Sequence, residues 1–427
     1  MIANEGVSSP GVKLHGKGFI VSRAEAGQLG LGSRINLENY VREYRNGRDL
    51  TAKPRNKLVT DLFGLSEQEV RSRYPEIYQH LASTVRVARQ EGINNALEKG
   101  SDPTTDAYDY LEKWWLFGKP RPELRPALEG LSRYVVTVET AEHRFFQFLP
   151  QTVTPDNRLV CFASDDALTL AMLSAKPHLT WTSRAGGSLE DRPTYTKTVC
   201  FDPFPFPDPS DAIRATLRDL GEELDATRKT VQAEHPDLTL TGLYNVLEKV
   251  RAGAPLDAKD EDVKNRGRVL ILKDLHDQID RATADAYGWP HALTDEQILE
   301  RLVALNAERA AEEAAGHVRW LRPDYQIPRF AKGAAAPKSG QLDLQDNVVA
   351  LDKGLPAFPK DKGEQVMAIR AVLQASSAPM DAATVSRAFK QGGKKIEQRV
   401  VQAINTLVRY AEITALPNGA YAARRAA

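Results

Sequence analysis

At 427 residues the chain is long enough for two or three domains and a sizeable core. Its 57 basic and 57 acidic residues cancel, which excludes a global cationic field and leaves any nucleic-acid interface to a local patch. Cys161 and Cys200 sit in apolar runs and read as buried thiols rather than ligands or a disulfide. With no membrane-length apolar window and no signal pattern, a cytoplasmic protein is expected.

Residues 1–13 are polar and glycine-rich and read as a loose lead-in. LHGKGFIVS follows as a turn and a short strand. Its glycines lack the spacing of a phosphate-binding loop. Asn46-Gly47 signals a turn, and KLVTDLFGL is an apolar strand. Ser66 with Glu69 forms a capping box, and apolar residues at helical spacing carry the helix through Val85. Residues 92–105 read as a loop. The aromatic cluster at 108–117 is interleaved with Lys113, Lys119, Arg121 and Arg125, so Trp114 and Trp115 are either core residues or platforms for bases. Residues 133–140, 143–149 and 158–164 are three strands in close succession, followed by an apolar helix capped by Ser164 or Asp165. The scattered histidines show no metal-ligand spacing.

The segment 186–207 divides the chain. Two glycines free the backbone for positive φ, RPTYTKTVCF reads as a strand, and Pro203-Phe204-Pro205-Phe206-Pro207 is expected to run extended and plug two rings into a neighbouring surface. Beyond it, four amphipathic helices read as a bundle, with Gly253 and Thr294 as caps. Residues 329–362 are a linker rich in Ala, Gly, Pro and Lys. Residues 363–425 carry three helices and then a hairpin at Asn418-Gly419, the order of a winged helix. Its third helix offers Lys394, Lys395, Arg399 and Gln402 to phosphates and base edges, or to a protein partner.

Blocks along the chain carry a resemblance: Gly47-Arg48-Asp49-Leu50, Pro54-Arg55, Asp61-Leu62-Phe63-Gly64, Trp114-Trp115-Leu116-Phe117-Gly118, Arg133-Tyr134, Asp191-Arg192-Pro193, the FPFP run, Ala286-Tyr287-Gly288-Trp289, ILERLVALNAERAAEE and Trp320-Leu321-Arg322-Pro323 with Tyr325. In this order they resemble the C-terminal half of MmeI-like adenine-specific DNA methyltransferases of the type II restriction–modification kind. The resemblance implies a target-recognition domain over 14–207 and a helical domain over 208–328; with the linker and the winged-helix-like tail, which are read from the residues and lie outside it, the expected fold is α+β (α/β). The resemblance also implies readout of double-stranded DNA. Arg192, Tyr195 and Lys197 are the first candidates because they lie on the expected strand nearest the FPFP exit. Lys119, Arg121 and Arg125 come second, and the alternative for each is a solvated surface charge.

The Asn-Pro-Pro-aromatic motif and the glycine-rich S-adenosylmethionine loop of those enzymes do not occur in this sequence, and no other catalytic constellation stands out. The expectation is therefore a specificity half with no catalytic or cofactor residues of its own. S-adenosylmethionine and methyl transfer to a flipped base would belong to a partner methyltransferase subunit. The other reading is a stand-alone DNA-binding or assembly protein of a phage-defence locus.

Overall fold

Eight short strands build two four-stranded sheets on which the rest of the first unit is arranged. The first runs β1 (Ser8–Pro10), β8 (Leu159–Phe162), β5 (Arg133–Val138), β6 (Gln147–Pro150), antiparallel throughout. The second runs β2 (Ile20–Val21), β4 (Lys57–Thr60), β3 (Val41–Arg45), β7 (Val153–Pro155), with β3 and β7 parallel. The chain passes from one sheet to the other between β6 and β7. Arg42 braces that crossing by donating to the carbonyls of Gln151 and Thr152. The computed structural model describes residues 1–189, 192–331, 348–349, 356–359, 361–375, 380–390, 394–409, 413–415 and 421–423. These fall into two units, Met1–Ala350 and Leu351–Ala427.

β5 and β8 are buried almost end to end, so both faces of their sheet are covered. Phe146, Phe148 and Phe162 are among the largest buried side chains, each stabilising by about 1.5–3 kcal/mol over an exposed ring. The helices Asp211–Glu234, Leu240–Arg251 and Val269–Tyr287 share this core with the sheet. Asp225 accepts from the Phe148 amide, and the fully buried Arg228 donates to the Phe146 carbonyl. The second sheet has its own core, in which Trp114 is 3% exposed beside Phe19, Tyr74 and Phe117, while Trp115 donates to the Leu65 carbonyl. Both tryptophans are thus structural, not platforms for bases.

Four local expectations are corrected. Residues 8–10 are a strand rather than a loose lead-in. Asn4, 1% exposed, donates to the carbonyls of Phe201, Asp202 and Phe204, so polarity there satisfies buried backbone. The helix Val87–Glu98 continues past Gly92 because Ile93 is buried. Asn46-Gly47 does not make a hairpin turn: Asn46 caps a helix, Gly47–Thr51, in a capping box with Asp49. The strand expected after Gly186 ends at Thr194, and Lys197–Cys200 is a helical turn. The Ser66/Glu69 box and the Thr294 cap form as expected, the latter also boxing with Gln297, and Phe204 is buried against Trp181, Ile298 and Leu302.

The second unit has the helices Lys362–Ala375, Ala382–Arg387 and Lys394–Arg409, then the antiparallel pair Ile413–Ala415 and Tyr421–Ala423. Its core is built on Ile369, Leu373, Val385, Phe389, Val400, Ile404 and Leu407. The expected turn at Asn418-Gly419 lies outside the described residues.

Candidate nucleic-acid interface

The first set of candidates surrounds a small hairpin, β9 (Gly187–Leu189) paired with β10 (Arg192–Thr194). Arg192 and Pro193 are exposed. The hairpin root is fixed to the end of β5: Thr194 bridges Thr140, Ala141 donates to the Pro193 carbonyl, and Tyr195 donates to that of Glu139. Beneath it Arg144 donates to Thr137 Oγ1 at 3.1 Å and the Pro193 carbonyl at 3.1 Å, with its guanidinium over the Tyr195 ring. Burial pulls this guanidinium down to about 10, yet it stays cationic at neutral pH.

Tyr195 itself is 1% exposed and is corrected from a base-reading candidate to an anchor. Its hydroxyl shares a 2.9 Å hydrogen bond with His178 Nε2, inside a cage formed by Phe146, Phe162 and Phe204. Burial, followed by the Arg144 charge, pulls His178 down to about 3, so the ring is neutral. Lys197, on the helical turn, is tied to Asp202 at 2.6 Å. Gly186 has φ −71°, not the positive value expected; glycine is needed because a Cβ there would lie 2.6 Å from the Thr194 carbonyl oxygen.

Two of the second set, Arg121 and Arg125, face inward. Arg125 donates to Asp61 at 2.9 Å and to the Pro120 carbonyl, with its guanidinium 4.2 Å from the Phe63 ring centroid. Arg121, at φ +54°, donates to the Gly11 carbonyl and approaches Glu123 at 3.9 Å. Both line a cavity of about 100 Å³ with Arg42 and Asp61. Lys119 is exposed but lies 3.7 Å from Asp106. These residues brace the two sheets. In the second unit Arg399 and Gln402 are exposed; Lys394 and Lys395 open the same helix, but their side chains lie outside the described residues.

Two arginines that were not among the candidates complete the face. A cleft of about 190 Å³ is lined by Asn46, Gly47, Arg48, Thr140, Asp156 and Arg158. Arg48 is the second residue of the helix Gly47–Thr51, which is held by its capping box and by Arg55, whose guanidinium grips Asp49 at 2.7 and 2.9 Å. Burial disfavours the charged Asp49 carboxylate, but the Arg55 and backbone hydrogen bonds outweigh it, and the group is held below its ordinary range. A Cβ at Gly47 would meet Val138 Cγ1 at 3.0 Å, so glycine lets this helix lie close on β5. Arg158 lies in the turn between β7 and β8. Its amide donates to Asp156, whose other oxygen accepts from Tyr44, and its carbonyl accepts from Glu139.

Thr140 both lines this cleft and bridges the hairpin. Arg48 and Arg158 thus line the cleft, and Arg192 stands on the hairpin strand that Thr194 ties to Thr140. All three are exposed, and none of their side chains makes a hydrogen bond or ion pair among the described residues. Such unneutralised guanidiniums suit phosphate oxygens or the two acceptors on a guanine edge. Arg192 is a sequence candidate; of the two added arginines only Arg48 carries a signal, inside the GRDL block, while Arg158 opens an expected strand and carries no pattern of its own.

Residues 13–208 match the family described as "MmeI, target recognition domain". Among solved structures the chain is similar to the Type IIL restriction–modification enzyme MmeI in complex with DNA, at 17% identity and a TM-score of 0.53, over 73% of this chain and 36% of that one. The chain thus spans about a third of the length of that enzyme. No curated protein matches it.

Proposed function

We propose that the MmeI-like target recognition domain of residues 13–208 reads the base sequence of duplex DNA, as the specificity half of a site-specific adenine methyltransferase. The observation that carries this is the trio Arg48, Arg158 and Arg192, exposed and unpaired among the described residues, the first two lining the Thr140 cleft and the third on the hairpin bridged to Thr140. An arginine paired bidentately with a guanine edge discriminates by about 1–3 kcal/mol. Asp156, in the same cleft, adds an acceptor suited to a cytosine amino group. The supports beneath, the half-buried Arg144 and the buried Tyr195 and His178, hold the hairpin so that little ordering is left to occur on binding.

In this reading methyl transfer is performed by a partner methyltransferase subunit in the cytoplasm. S-adenosylmethionine belongs to that partner, and no residue of this chain is assigned to it. The test is enrichment of bound sequences from a randomised duplex library by the full chain. Wild type enriches a defined motif, and the Arg158→Ala and Arg192→Ala chains each relax one position of it. No enriched motif from the wild-type chain, with or without the methyltransferase subunit, sinks the proposal.

A further inference from the structure

The formal neutrality of the chain hides a division of charge. Leu351–Ala427 carries six Lys and six Arg against three Asp and three Glu, a net +6, so Met1–Ala350 carries −6. The positive unit is also the one that the family match, ending at residue 208, does not include.

We propose that Leu351–Ala427 is a second duplex-DNA contact, one that grips phosphates without reading sequence through the outer face of the helix Lys394–Arg409. That helix is strongly two-sided. Ile396, Val400, Ala403, Ile404 and Leu407 are buried in the core of the unit, while Arg399, Gln402 and Asn405 are exposed. The Arg399 guanidinium lies 5.9 Å from the centroid of the Phe358 ring and makes no ion pair among the described residues. Stacking on the ring fixes the direction of the side chain without neutralising its charge. In sequence, Lys394 and Lys395 stand one turn earlier on the same helix.

The character of this face separates nucleic acid from protein as the partner. Protein interfaces have an apolar core with few charges. Among the described residues of the helix, the one exposed apolar side chain is Val401, 36% exposed, beside Arg399, Gln402 and Asn405. A polar, cationic face on a unit of net +6 binds through release of counterions from a polyanion, which depends on charge and not on base sequence. This contact is independent of the arginine trio, and the two have different readouts: salt dependence on random duplex for this one, sequence discrimination for the other.

The experiment measures affinity of the full chain for a random-sequence duplex of about 30 base pairs across a salt series from roughly 50 to 200 mM. Each phosphate contact contributes about 0.9 to the slope of log K against log salt. Substituting Lys394→Ala, Lys395→Ala and Arg399→Ala together should flatten the slope by about 2–3 and weaken binding roughly tenfold, while motif enrichment is retained. The pair Lys394→Gln and Lys395→Gln leaves the Phe358 stack intact and should flatten it by up to about 2, so it decides the matter if the triple variant loses helix by circular dichroism. An unchanged slope in both variants overturns the proposal. Tighter, residue-dependent binding to single-stranded RNA, or lost association with the methyltransferase subunit at unchanged slope, overturns it in favour of those partners.

Discussion

Arg125 and Arg158 are chemically identical and structurally opposite. Arg125 spends its guanidinium on Asp61, on a carbonyl and on the Phe63 ring, whereas Arg158 ends in solvent beside the cleft. No local pattern distinguishes them, because the carboxylate that captures Arg125 comes from a distant part of the chain. The same holds for Tyr195, whose partner His178 comes from the preceding helix. Basic residues near an aromatic cluster were thus legible as a group, but not which of them stay free. Replacing Arg125 by Ala strands Asp61, 4% exposed, and should cost about 1–3 kcal/mol in urea unfolding. Arg158→Ala should leave stability within about 0.5 kcal/mol of wild type and lower discrimination at one base position by about 1–3 kcal/mol in competition binding. Tyr195→Phe removes the hydroxyl that satisfies His178 Nε2 inside the core. It should cost about 1–3 kcal/mol of stability with no change in the salt dependence of DNA binding. Equal stability in that variant would remove the anchoring role given to Tyr195.

Among elements, the caps at Ser66 and Thr294 form where local rules place them, whereas the apolar helix expected to be capped by Ser164 or Asp165 is capped by Asp166, and close approaches carry no local signal. The boxes at Ser66 and Thr294 and the burial of Phe204 in the FPFP run follow from rules that act over a few residues. Gly186 shows what such rules miss: its glycine is required by the Thr194 carbonyl packed against it, not by its own φ. Ala at this position would place a methyl group 2.6 Å from that oxygen, so the root of the hairpin must move. Gly186→Ala is expected to accelerate amide exchange at Tyr195, whose N–H bonds the Glu139 carbonyl, and to blunt motif enrichment while the β5–β8 ladder stays protected. Faster exchange spread evenly over β5 and β8 would show instead that the hairpin is not a separable element. The strand β1 was missed for a related reason. Its polar sequence is anchored by Asn4, whose amide satisfies three carbonyls leading into the FPFP run.

In the whole molecule, two buried neutral histidines tie the core to pH. His178 is pulled down by burial and Arg144, and His276 by burial and Arg228; both are uncharged in the fold and take up a proton on unfolding below about 6.5. Their contribution is present above that pH and lost as pH falls, by about 1.4 kcal/mol per pH unit for each histidine. Asp280, raised by burial to about 6, acts in the opposite sense: its protonated form belongs to the fold, and its contribution falls as pH rises towards 6. Urea midpoints should therefore fall from pH 6.5 to 5, and His178→Gln should flatten that fall even though it lowers the midpoint. A parallel curve would show that His178 is charged in the fold. The α+β architecture and the MmeI-like resemblance were legible because they rest on many blocks in order. The cleft was not, because Arg48, Arg158 and the hairpin meet at Thr140 only after two sheets have formed. The most direct test of sequence readout is motif enrichment from a randomised duplex library by the wild-type chain and by the Arg48→Ala, Arg158→Ala, Arg192→Ala triple variant. Wild type should yield a defined motif and the variant none, with residual salt-dependent binding left to Leu351–Ala427. The same motif from both proteins would contradict this readout.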